Sequence, residues 1–132
     1  MSVVETAAES ALTCTPSGLW PADAPVLDTS ALRHNVGDAG PLLRQLYSLF
    51  LKNEDELRTT LEARLDHDDM AGARLAAHAA AGAARTAGAG QLASLCTLIE
   101  EATRHGDTAL ARHAAAHLAA ALDAVRSEVA RV

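Results

Sequence analysis

His78 stands in an alanine run, "LAAHAAAGAARTAGAGQL" over residues 75–92, with Gly82 one helical turn beyond it. Alanine is the strongest helix former; histidine adds nothing to a helix, and glycine costs about 1 kcal/mol relative to alanine. Helix propensity therefore accounts for neither residue. On a helix, positions three and four apart are neighbours, so Arg74, His78, Gly82 and Arg85 share one stripe. A glycine there removes side-chain bulk beside the imidazole, and arginines supply cations on either side. Free histidine titrates at about 6.5, so at neutral pH the ring is largely a neutral nucleophile. Such a stripe suits a histidine that carries a phosphoryl group. The plainer alternative is an ordinary surface histidine.

The elements that must position this stripe follow from the spacing of apolar residues. "VLDTSALRHNVGD" predicts a short helix capped at Asp28 and ended near Gly37. Leu42, Leu46, Leu49, Phe50, Leu57, Leu61 and Leu65 recur at helical intervals. They predict one long helix, or two joined near Lys52–Asn53, with Pro41 tolerated in the first turn. Asp68 or Asp69 can cap the next helix, which carries His78 and ends at Gly88. Leu92, Leu95, Cys96, Ile99 and Ala102 make the apolar face of a further helix, stopped by Gly106. From Asp107, the stripe Leu110, Ala114, Leu118, Ala121, Val125 and Val129 predicts a single last helix. Strand signals are absent. The expected fold is all-α: an antiparallel up-down four-helix bundle over residues 27–132 with a short extra N-terminal helix. Residues 1–26 hold three of the four prolines and are expected as a flexible tail or linker.

Composition narrows the function classes. The 132 residues suffice for one domain, and with 49% hydrophobic and 21% charged residues they fit a globular protein. Aromatic residues are only 2%, namely Trp20, Tyr47 and Phe50, so the core must be leucine, alanine and valine. A net charge of −6 argues against nucleic acid, which needs a basic face. No uncharged apolar stretch reaches the length of a membrane span, and the N-terminus lacks the basic start of a signal peptide. Cys14 and Cys96 form no C-x-x-C or disulfide framework, so a reducing, cytoplasmic setting is expected. Cys96, among Leu95, Leu98 and Ile99, reads as a buried thiol. There is no P-loop, and "TAGAGQ" is not one.

His113 and His117, four apart, have a spacing that can bind zinc. They lack the glutamate of an H-E-x-x-H arrangement, and the chain has no Glu-x-x-His pair of the kind a di-iron bundle needs. We read them as boundary residues and expect no metal site. His34, His67 and His105 fall near helix ends, where contact with carbonyls or solvent is the ordinary role.

Taken together, Ala77-His78, Gly82-Ala83-Ala84, Gly88-Ala89, then Leu92, Cys96, Leu98 or Ile99 and Glu100, resemble the histidine-containing phosphotransfer (HPt) domain family. That family's signature runs A-H-x-L-K-G-[SA]-[SA], a glycine-alanine pair some ten residues on, then L-x-x-x-C-x-x-L-E. The resemblance spans roughly residues 26–130. Two positions depart from it: the family's leucine is Ala80 and its lysine, credited with holding the phosphoryl group, is Ala81.

The resemblance implies a phosphorelay intermediate with His78 as phosphoryl acceptor and donor. Its partners would be response-regulator receiver domains; the kinase and receiver domains of its own protein are a further possibility. It implies no resident cofactor; the Mg²⁺ of the reaction is expected on the receiver. Arg85 and Arg104 are the candidates to replace the missing lysine, since guanidinium forks bind phosphate oxygens in pairs. Arg74, Ala81, Gly82 and Glu100 are the expected docking surface. The proline- and alanine-containing stretch over residues 1–26 suggests, as an expectation, the C-terminal HPt domain of a hybrid sensor histidine kinase, itself without an ATP site, with a small free-standing protein as the other possibility. The alternative is a bundle that binds proteins without carrying phosphate, a reading fed by Ala81.

Overall fold

The computed structural model describes residues 18–37 and 40–132. Those residues are all-helical apart from turns and short connections. Six helices follow in order: α1 (Ser30–Val36), α2 (Gly40–Asp66), α3 (Met70–Ala87), α4 (Gly90–Arg104), α5 (Thr108–Ala115) and α6 (Leu118–Val129).

Local chemistry sets most of these boundaries. The Asp28 carboxylate accepts hydrogen bonds from the Ser30 amide (3.0 Å) and hydroxyl (2.6 Å), anchoring the start of α1. Those bonds hold the Asp28 carboxyl below its usual range. Gly37, at φ 75°, ends α1. The leucine-rich segment is one continuous helix of 27 residues, unbroken at Lys52–Asn53. Asp69 caps α3 by accepting from the Gly72 amide at 2.9 Å, and Asp107 caps α5 by accepting from the Leu110 amide at 3.1 Å.

The expected single last helix is two. Between α5 and α6 the His117 amide bonds to Ala114, three residues back, instead of four. That tighter turn interrupts the helix while leaving Ala114, Leu118, Ala121 and Val125 all buried. The apolar stripe is kept across the break, which is why periodicity alone does not reveal it.

Helix α3 packs against α2 on one side and α4 on the other, and α4 continues into contact with α5 and α6. The core is unusual for its small residues. Ala73, Ala76, Ala77, Ala80, Ala81, Ala84 and Ala87 form the whole buried face of α3. They meet Leu92, Leu95, Cys96 and Ile99 of α4 and Leu43, Tyr47, Phe50 and Leu61 of α2. With no bulk on that face, the α3 backbone lies close to both neighbours, while the opposite face stays exposed.

Residues 1–17 of the expected tail, Cys14 included, lie outside the described residues. Residues 18–28 lie against the corner between α3 and α4. Leu19 is buried and Trp20 packs half-buried on the core. The Gln91 side chain donates to the Ala24 carbonyl (2.9 Å), its amide to Pro25 (2.9 Å), and the Asp28 amide to Gly88 (2.7 Å).

Candidate functional site

The outer face of α3 carries Arg74, Leu75, His78, Gly82 and Arg85, opposite the alanine face. The His78 side chain is 71% exposed. Its Nδ1 lies 2.9 Å from Oε2 of Glu100 on α4. A carboxylate oxygen accepts, so Nδ1 carries the hydrogen and Nε2 keeps its lone pair. The described residues offer Nε2 no hydrogen-bond partner. Glu100 thus holds the ring through Nδ1, with Nε2 turned to water.

Glu100 itself is only 17% exposed. Expected on the docking surface, it sits half-buried beside the imidazole. Spacing along one helix could not show this, because the contact spans 22 residues and crosses from α3 to α4.

Gly82 leaves open space. A Cβ built there would meet no atom within 4 Å, so no packing constraint demands glycine. The approach to His78 from its C-terminal side is therefore bare.

Ala81 does not belong to the docking surface. It has no accessible area and lies in the α3–α4 seam. Position 81 lies about 60° round the helix from His78, at the edge of the buried alanine face.

The cations are distributed unevenly. Arg85 donates to the Thr97 hydroxyl of α4 at 2.8 Å. Arg104 pairs with Glu101 on its own helix. Both guanidinium groups are thus held by neighbours other than His78. Arg74, one turn before His78 and exposed, has no hydrogen bond or ion pair among the described residues. Helical side chains lean toward the N-terminus, which brings the imidazole toward the turn that holds Arg74 and Leu75. Cys96 is buried beneath this face, and burial pushes its thiol up to about 12, so it is inert as a nucleophile.

His113 and His117 lie edge to face across the α5–α6 break, ring centroids 5.4 Å apart. The described residues contain no group of three or more metal-ligating side chains. Among the described residues no helix is long and apolar enough to cross a membrane.

A family model of the Hpt domain matches residues 45–128, well over half of the chain and all of α3 and α4. The protein belongs to the Hpt domain family. These are the histidine-containing phosphotransfer domains of two-component systems. Comparison with curated proteins and with solved structures returned no match. The matched span starts inside α2 and ends one residue before the end of α6, so it takes in the described surroundings of His78.

Proposed function

We propose that His78 carries a phosphoryl group between the aspartates of receiver domains. The observation that carries this reading is the exposed imidazole whose Nδ1 is held by Glu100 at 2.9 Å. In the step proposed, the Nε2 lone pair attacks the phosphorus of an aspartyl phosphate on the receiver. The bond from phosphorus to the aspartate oxygen breaks, and its electron pair stays on the carboxylate. The ring becomes cationic while Nδ1 keeps its hydrogen, and the Glu100 carboxylate faces that charge. Transfer to a second receiver is the reverse step. Phosphoryl transfer depends chiefly on positioning and charge. The bundle supplies positioning, and the receiver supplies Mg²⁺.

Among the cations, Arg74 is best placed to meet the phosphoryl oxygens, because Arg85 and Arg104 are engaged by Thr97 and Glu101. Gly82 gives the visiting domain room, and the bare stripe suits brief docking. We read the fold as an up-down four-helix bundle of α2, α3, α4 and the interrupted α5–α6, with α1 as the extra helix. The wider setting we propose is a hybrid sensor kinase of which this bundle is the phosphotransfer domain, a reading that rests on the family.

Incubation with a receiver phosphorylated by a small phosphodonor tests the carrier role. Wild type should take up label that is labile in acid and stable in alkali, and His78→Gln should take up none. Equal labelling of His78→Gln would overturn it. So would an unlabelled wild type that still forms a measurable complex with the receiver, the behaviour of a bundle that binds without carrying phosphate.

A further inference from the structure

Glu54 is the one acidic side chain buried among the described residues, at 3% exposure, and the phosphotransfer chemistry makes no use of it. It lies on α2 at the point where four helices converge. Around it are Arg58 of its own helix, Ala80 of α3, Leu92 and Cys96 of α4, and Leu118 and Leu122 of α6. These side chains line a small void of about 10 Å³, at the lower limit for a single water molecule. Its Oε1 is buried without a hydrogen-bond partner.

The charged and titratable groups facing Glu54 are few. From α4 comes the neutral Cys96 thiol. From α2 comes Arg58, one turn on, whose terminal nitrogens are drawn to Glu62 (3.2 Å) and Asp55 (3.8 Å) while its buried Nε has no hydrogen-bond partner. Helices α3 and α6 present only apolar side chains. No cation is paired with Glu54 among the described residues. An ionised carboxylate in such a place costs several kcal/mol, whereas a protonated one is tolerated.

We propose that Glu54 is a proton-coupled stability device: the bundle folds around the neutral carboxyl and gives up stability as that carboxyl is driven to ionise. Burial pushes its pKa from 4.5 up to about 8. A carboxyl whose folded-state pKa is raised contributes full stability below its unfolded pKa. That stability is lost as pH rises toward the folded value and changes no further above it. The loss therefore spans about pH 4.5 to 8.

The test compares urea unfolding of the full chain with that of Glu54→Gln, a near-isosteric change, across this range. Groups common to both cancel in the ratio of the two unfolding constants. That ratio, wild type over variant, should rise up to tenfold per pH unit between about pH 5 and 8, then level off. A ratio independent of pH overturns the proposal. If Glu54→Gln fails to fold, carboxyl-carbon NMR of the wild type decides. Titration of Glu54 near 8 supports the device. Titration in the ordinary carboxylate range, as when the side chain swings out to Arg58, overturns it.

Discussion

Gly82 separates the demands of folding from those of function at a single residue. In an exposed helix interior, glycine costs about 0.5–1 kcal/mol relative to alanine. Nothing in the packing requires it, since an added Cβ meets open space. Gly82→Ala should therefore stabilise the protein by about 0.5–1 kcal/mol in urea unfolding, with phosphoryl transfer largely kept. Gly82→Leu should leave the fold intact and slow transfer from a phosphorylated receiver at least tenfold, because the branched side chain stands in the approach to His78. Normal transfer by Gly82→Leu would contradict the accessibility argument. This site was legible in the sequence because a glycine in an alanine run has no local excuse. Ala81 was misread as surface and the contact between Glu100 and His78 was not foreseen, since both depend on how α4 seats against α3, and helical spacing within one element carries no such information.

At the scale of elements, the corner between α3 and α4 is built on backbone contact. Gly88 has φ 86°, the left-handed conformation that ends α3. A Cβ there would also run into the carbonyl oxygen of Asp28. At Gly90 a Cβ would come within 2.8 Å of Pro25 Cδ. The segment from Gly18 to Asp28 can lie on this corner only because both positions are bare. Gly88→Ala combines left-handed strain with a backbone collision and should cost at least about 1–3 kcal/mol by denaturant unfolding. It should also release the hydrogen bond from the Asp28 amide, visible as faster amide exchange at that residue. Unchanged stability and exchange would show that the segment is not held there. Capping residues made most helix ends readable: Asp69, Asp107, Gly37, Gly88 and Gly106 each stop or start an element where expected. The break between α5 and α6 escaped because no glycine, proline or cap marks it.

At the scale of the whole molecule, alanine decides the geometry. A core with few aromatic residues must pack helices closely, and α3 achieves this by burying seven alanines. The consequence for the site is distance: the 2.9 Å contact from His78 to Glu100 exists only while α3 and α4 stay close. Ala77, fully buried and adjacent to His78, tests this. Ala77→Leu forces extra methylene groups into a filled seam, which costs typically 1–3 kcal/mol. The helices can relieve that strain only by moving apart, and the ring then loses its carboxylate. Two measurements should change together. The urea midpoint should fall, and nitrogen NMR of His78 should show mixed tautomers where the wild type holds its hydrogen on Nδ1. A destabilised Ala77→Leu whose tautomer is unchanged would mean that the site tolerates movement of its scaffold. The close alanine packing would then matter for stability alone.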